Sequence, residues 1–177
     1  MVRPIFSMMA ASAIAVLAVP TAASAAIFVN GVEGDSTIRG HEKEVVASQV
    51  TFGSTANGTR PGPGGVMPQT VVITHQIDRA SPVFFKNAVT SARIPVLKIE
   101  LTKSTGGGMM ATYLRITLTN ARIASLSQSG SSGGPPTEQV TFVFEAAAFQ
   151  FIPYSENGVA GTPVNATWDL VKNMVSQ

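Results

Sequence analysis

Two histidines supply almost all of the metal-binding or acid–base chemistry that this 177-residue chain could offer. His41 and His75 are its only histidines, they lie far apart in the sequence, and the chain contains no cysteine. Zinc and similar ions need three or four such ligands at short, regular spacings. We therefore expect no metal or other cofactor, and a surface or packed role for each histidine.

A Ser/His/Asp nucleophilic site is the second chemistry to test, because the chain has many serines together with His75 and Asp78. The sequence lacks a Gly-x-Ser-x-Gly elbow, and the approach to a helix N-terminus is itself a favoured place for an acid such as Asp78. Glu138 and Glu145 could act as paired carboxylates only if a cleft brought them together. We therefore expect a protein that is not an enzyme.

The segment GSTANGTR has the glycine separation of a phosphate-binding loop at Gly53 and Gly58. That loop requires a Lys followed by Ser or Thr, but Thr59 and Arg60 occupy those positions. The Pro and Gly residues that follow also prevent the helix whose N-terminus would hold the anion. A flexible or assembly loop is the favoured interpretation.

Alternating patterns predict that most of the chain forms antiparallel strands. In LKIELTK (97–103), YLRITLTN (113–120) and TEQVTFVFE (137–145), apolar and polar residues alternate with the period of a half-buried strand. The apolar phase shifts near Asn120 and again after Phe144, which predicts a bulge or bend at Asn120 and another within Ala146–Ala148. Long bent strands favour a barrel.

One segment, ASPVFFKNAVTSARIP, predicts a single short helix of about three turns. Ser81 is the expected N-cap and Pro82 the first helical residue, while Pro95 prevents continuation. The helical spacing of Phe84, Phe85, Ala88 and Ala92 predicts the face that packs on the sheet. The fold class is therefore mainly β: a compact antiparallel β-barrel of two packed, strongly curved sheets, with one short flanking α-helix.

The first 25 residues have the layout of a secretory signal peptide. Arg3 precedes an apolar stretch, and Ala23-Ser24-Ala25 forms a small-residue cleavage site before Ala26. We expect cleavage between Ala25 and Ala26, a single domain over 26–177, no membrane span after cleavage, and a secreted or periplasmic location. The twelve Lys and Arg residues, Arg3 included, nearly balance ten Asp and Glu residues and are scattered, so no nucleic-acid partner is expected.

Three short pieces of the sequence are specific when taken together and in order: IDRASP (77–82), TEQVTF (137–142) and WDLVKN (168–173). With these pieces, the order of features over 27–173 resembles the Hcp (haemolysin-coregulated protein) family, which builds the tube of the bacterial type VI secretion system. The family-signature residues expected to be structural are Asp78, Ser81, Pro82, Glu138, Phe142, Trp168, Asp169 and Leu170.

The resemblance implies a homo-hexameric ring that can stack into tubes, carry effector cargo and work with spike and sheath proteins, without cofactor or catalysis. The resemblance also implies that the long loop, Gly53 to Val66, is the family's arm toward a neighbouring subunit or ring. The assembly-loop candidates are Gly53, Ser54, Thr55, Asn57, Arg60, Pro61, Gly64 and Val66.

A signal peptide departs from the family pattern, because a tube subunit is expected to stay in the cytoplasm until injection. Three interpretations follow: an exported structural protein that forms rings or tubes, a secreted binding module or single ring that holds a small protein or ligand, and an injection component whose start lies downstream of Met1. In each of them, Trp168, Leu170 and Val171 are expected to close the barrel with an apolar C-terminal strand.

Overall fold

A computed structural model describes residues 25–53, 70–104, 110–172 and 174–176. These ranges contain nine strands and one helix. In chain order they are β1 (Ala25–Asn30), β2 (Val45–Gly53), β3 (Thr70–Gln76), α1 (Ser81–Thr90), β4 (Ile94–Ser104), β5 (Met110–Ser129), β6 (Thr137–Val143), β7 (Ala146–Phe151), β8 (Val164–Asp169) and β9 (Met174–Ser176).

Six antiparallel strands close into the predicted barrel. Following the pairings from β1 to β2, β3, β6, β5 and β4 leads back to β1, so each of the six strands pairs with two others. The predicted alternation is confirmed, because Leu97, Ile99, Leu118, Val140 and Phe142 are fully buried inside. Closure satisfies strand edges that would otherwise attract other chains.

The longest strand, β5, is shared between the barrel and a second group of strands. Its second half, from Arg122, pairs with β6, and its first half, Leu114 to Thr119, pairs with β7. The halves meet at Asn120, whose φ of 51° places it in the left-handed region. The predicted bend at Asn120 is therefore confirmed. The predicted irregularity within Ala146–Ala148 is wrong, since these residues are regular β7 and the break falls earlier, at Phe144 and Glu145.

The place where the two halves of β5 meet, at Asn120 and the neighbouring Glu145, is here called the branch point. Glu145 connects the elements that meet there. Its backbone N–H donates to the Thr119 carbonyl at 3.0 Å, and its own carbonyl accepts the Leu170 N–H at 2.9 Å. One carboxylate oxygen accepts the Asn120 side-chain amide at 2.8 Å, and the other lies 3.3 Å from the Arg93 guanidinium. One residue thus connects β5, the end of β8 and the segment between α1 and β4.

Helix α1 packs on the barrel through Phe84, which is fully buried and makes edge contacts with the rings of His75 and Phe142. Three predictions for this helix are wrong. Ala80 occupies the N-cap, and Ser81 is the first helical residue in place of Pro82; the Ser81 hydroxyl accepts the Asp78 N–H in the preceding turn and does not cap the helix. Phe85 faces outward with 58% of its surface exposed.

The other end of α1 also differs from the prediction. The helix ends at Thr90, because Ser91 takes the left-handed conformation with a φ of 52°. Pro95, expected to stop the helix, instead lies within β4.

The branch point makes a measurable contribution to stability. Asn120→Ala should lower the free energy of unfolding by about 2 kcal/mol, because it loses a hydrogen bond to a carboxylate and strains a left-handed residue. Asn120→Gly loses the same hydrogen bond but relieves the backbone, so it should cost about 1 kcal/mol less than Asn120→Ala. Urea unfolding measures both variants. Equal losses for Ala and Gly would contradict the backbone part of this account.

Candidate functional site

Strands β7, β8 and β9 extend from the branch point as a small sheet, here called the projecting sheet. β8 pairs with β7 over its full length, and its last three residues pair with β9. The first four residues of β8 are exposed although their side chains alternate between the two faces. A sheet normally packs at least one face against a core. At the start of β8, both faces of this sheet are therefore exposed to a partner.

One face of the projecting sheet is apolar. It consists of Phe149, Phe151, Val164, Ala166, Trp168 and Val175, here called the apolar face; Phe151 pairs with Val164, and Trp168 with Val175. Phe149 and Trp168 are partly buried against the core, and the Phe149 ring meets Phe52 edge-on at 4.7 Å. Farther out, Val164 is 66% exposed and Val175 71%. The hydrophobic core thus continues outward onto an uncovered surface.

The opposite face is polar and is organised in one row across neighbouring strands. Glu100 on β4 binds Arg115 on β5, the Arg115 guanidinium donates to Gln150 on β7 at 2.8 Å, and the Gln150 amide donates to Asn165 on β8 at 3.1 Å. This row, here called the polar face, borders a shallow cavity of about 270 Å³. Its groups are already paired with one another, so a partner there would meet a neutralised, ordered surface.

A turn at Asp169 reverses the chain into β9. The Lys172 backbone N–H donates to the Asp169 carboxylate at 2.9 Å, and this bond holds the pKa of Asp169 below its usual range. Leu170 is buried and Trp168 is partly buried. The prediction that they close the barrel is wrong, because β1 and β4 close it, Trp168 lies on β8 of the projecting sheet, and Leu170 follows the end of that strand. Val171 is 72% exposed, so its predicted place in the same apolar set is wrong; it lies in the turn and not in the strand.

The residues considered for catalysis form a buried structural pair instead. His75 on β3 lies directly opposite Glu138 on β6, both side chains are fully buried, and His75 Nε2 is 3.1 Å from Glu138 Oε1. Gln128 donates to the other Glu138 oxygen at 2.7 Å, and Asp78 lies 3.8 Å from His75 Nδ1. Glu138 lies near the start of β6 and Glu145 follows the end of that strand, and their carboxylates bind different partners: His75 and Gln128 for Glu138, Asn120 and Arg93 for Glu145. Full burial of His75 and Glu138 prevents contact with a substrate and favours a structural role.

The remaining predictions concern metal binding, membrane crossing and the assembly loop. In the described ranges, no group of three or more His, Asp or Glu side chains could hold a metal ion. Among the same residues, no helix has the length and apolarity to cross a membrane. Gly53 ends β2, whereas the other assembly-loop candidates and the rest of the GSTANGTR segment lie outside the described residues.

Sequence reasoning missed the outer residues of the apolar face, namely Phe151, Val164 and Val175. The stretch VNATW alternates Val164, Ala166 and Trp168 with polar residues, which is the pattern of a strand with one apolar face. That signal predicts the face, but only the structure shows that no part of the described chain covers it.

Comparisons with known proteins agree with this architecture. Residues 27–151 match a family model described as "Type VI secretion system effector, Hcp". The protein hcp1 of Pseudomonas aeruginosa is 30% identical over 108 residues; the match covers 60% of this chain and 66% of that protein, just under two thirds of its length. Among solved structures, Hcp1 of Salmonella typhimurium is similar with a TM-score of 0.74 at 24% identity, covering 87% of this chain and all of that one. A type VI secretion system effector from Yersinia pestis has a TM-score of 0.65 at 18% identity, covering 82% and 98%.

Proposed function

Because the chain belongs to the Hcp family of type VI secretion proteins, we propose that it is a non-enzymatic structural protein that assembles with copies of itself into hexameric rings. The family consists of secreted components of that system. The observation that carries the proposal is the apolar face of the projecting sheet, which continues the core and is left uncovered.

Burial of the apolar face would lower the free energy of the assembled protein. Burying a Val or Phe side chain contributes about 1.5 to 3 kcal/mol, and the apolar face has three such side chains about half exposed or more, Phe151, Val164 and Val175. Contiguous exposed apolar surface of this kind marks a protein interface. A chain without cysteine cannot stabilise the sheet by disulfides, so contact with another copy supplies what is missing.

Stacked rings would form a tube with an open lumen, and effector cargo, spike and sheath proteins would be its partners, as the family likeness implies. The predicted assembly loop, Gly53 to Val66, which carries all eight assembly-loop candidates, would connect neighbouring subunits or rings. Fourteen or more residues between two strands of a small domain are commonly functional.

Residues 1–25 act as a signal peptide in this proposal, and 26–177 form the mature domain, which is secreted or periplasmic. The bond between Ala25 and Ala26 lies in β1, where these residues pair with Lys103 and Thr102 of β4. The Thr102 hydroxyl also donates to the Ala26 carbonyl at 3.1 Å. A peptidase needs an extended, unpaired substrate, so cleavage would have to precede the folding of β1.

A second candidate function is a secreted binding module or single ring that holds a small protein or ligand. The polar face favours it, because an ordered row of paired side chains beside a shallow cavity can bind a polar partner without large rearrangement. This function shares the fold and the export route but needs no stacking.

Adjacent residues of β8 provide a matched test of the interface. Val164→Asp places a charge on the apolar face and should reduce the assembly to monomers, whereas Asn165→Asp adds the same charge on the polar face and should leave rings intact. Both side chains are exposed in the single chain, so both variants should fold. Light scattering coupled to size-exclusion chromatography measures their masses. Rings from Val164→Asp would contradict the proposed interface.

Deletion of Thr55 to Gly64 tests the loop. The variant should remain folded, because β2 ends at Gly53 and β3 begins at Thr70, so the deletion removes no residue of either strand, but it should lose higher assembly. Circular dichroism checks the fold and negative-stain microscopy the assembly. A deletion variant that still forms rings and stacks would remove the loop from the proposal.

The N-terminus of the secreted protein tests the export route. Intact-mass spectrometry of the protein from culture supernatant or periplasm should show a chain that begins at Ala26. A chain that begins at a start downstream of Met1 would support instead the injection component, and a chain that begins at Met1 would contradict cleavage.

A further inference from the structure

Residues 31–44 connect β1 to β2 and are here called the strap. Three backbone hydrogen bonds close it on itself. The Gly34 N–H donates to the Lys43 carbonyl at 2.8 Å, the Lys43 N–H to the Ser36 carbonyl at 2.7 Å, and the Ser36 N–H to the Glu44 carbonyl at 3.0 Å. The strap is therefore an ordered element with its own hydrogen bonds.

Phe28 shows where the strap lies on the barrel. Its neighbours on β1, Ile27 and Val29, contact the barrel core, and side chains alternate between the faces of a strand, so Phe28 lies on the outer side. Phe28 is nevertheless fully buried, because the His41 ring lies parallel to its ring with the two centroids 3.8 Å apart. The strap thus covers an apolar ring on the outer side of the barrel, and His41 makes the contact.

His41 lies between two carboxylates. Its Nδ1 atom is 2.8 Å from Glu44 Oε2, on the strap, and 3.8 Å from Glu100 Oε2, on β4. The three side chains are 12%, 13% and 17% exposed, so solvent screens their charges only weakly. The Asn30 amide donates to the other Glu44 oxygen at 3.0 Å, and Arg115 binds the other Glu100 oxygen. The carboxylates are therefore fixed in position around the ring.

The charge balance of this group depends on a proton at His41. Glu44, Glu100 and Arg115 together carry one net negative charge, and a protonated His41 neutralises it. The face of the Phe28 ring also attracts a cation. A neutral His41 can still donate one hydrogen bond to Glu44, but the two carboxylates then meet without a cation between them. Histidine is the side chain whose charge normally changes between about pH 5 and pH 8.

Four other charged side chains of the strap have contacts elsewhere. Glu33 pairs with Lys43 and Arg79, Asp35 pairs with Arg79, and Glu42 accepts the Gly40 N–H at 2.9 Å. The charge balance at His41 is therefore set by Glu44 on the strap, Glu100 on β4 and Arg115 on β5.

We propose that the strap is a pH-sensitive switch, in which a proton on His41 holds the strap closed over Phe28 and loss of that proton loosens it. The charged contacts form in the folded chain while His41 is protonated. The closed strap is therefore most stable at the acidic end of the histidine range and loses stability as the pH rises. Glu100 also begins the row of the polar face, so opening of the strap removes a contact from that row. This switch does not depend on ring assembly.

Hydrogen exchange of the Gly34, Ser36 and Lys43 amides measures the opening of the strap, because these amides donate the bonds that close it. Their protection, taken as the exchange rate of an unstructured peptide divided by the rate in the protein, removes the effect of pH on the chemistry of exchange. In the parent, this protection should fall by about fivefold between about pH 5 and pH 8, as charged hydrogen bonds become neutral. The amides of β6 in the same molecule should keep their protection.

Three variants test whether His41 carries the effect. His41→Gln keeps a side-chain donor for Glu44 and His41→Phe keeps a ring on Phe28, but neither side chain titrates, so the pH dependence of protection should disappear in both. Glu42→Gln removes an acid next to His41 that binds the Gly40 N–H instead, and it should behave like the parent. A parent without pH-dependent protection, or both His41 variants with the parent's pH dependence, would overturn the proposal.

NMR spectroscopy adds a direct reading of the proton. The chain contains only two histidines, so the His41 ring signals can be assigned by their loss in His41→Gln. These signals and those of the Phe28 ring should change over the same pH interval as the protection of the strap amides. A strap that loosens at a pH where the His41 ring does not titrate would assign the effect to another group and contradict the switch.

Discussion

The branch point at Asn120 and Glu145 is the constraint on which the rest of the structure depends. One long strand, β5, must pair with β6 to close the barrel and with β7 to start the projecting sheet. Asn120 supplies the left-handed bend, and Glu145 supplies two backbone bonds and a carboxylate that accepts from Asn120 and Arg93. This junction positions the projecting sheet, and with it the apolar face, beside the barrel.

Closure of the barrel determines how the molecule can associate. Because each of the six barrel strands already pairs with two others, association by adding strands to the barrel is disfavoured. Several of the most exposed apolar side chains of the described residues lie on the projecting sheet, among them Val164 and Val175. A stable monomeric core with uncovered apolar extensions is the arrangement expected of a subunit that folds first and assembles afterwards.

Local patterns in the sequence predicted the barrel strands, the single helix and the bend at Asn120, because these follow from alternation and turn residues. Nonlocal features could not be predicted in the same way. His75 and Glu138 meet only because β3 pairs with β6. Phe84 and Phe85 are adjacent and equally apolar, so helical spacing alone does not say which one the barrel buries. Phe144 continues the alternation of apolar residues in β6, so alternation alone does not show that the strand ends before Glu145. Exposure of Val164 and Val175 depends on what covers them, which is a property of the whole fold.

The native mass and shape of the exported protein test the central claim most directly. Light scattering and negative-stain microscopy of protein purified from the secreted fraction should show closed rings of six subunits over a range of concentrations. A particle with the mass of one chain at every concentration, with the same far-ultraviolet circular dichroism, would contradict the account.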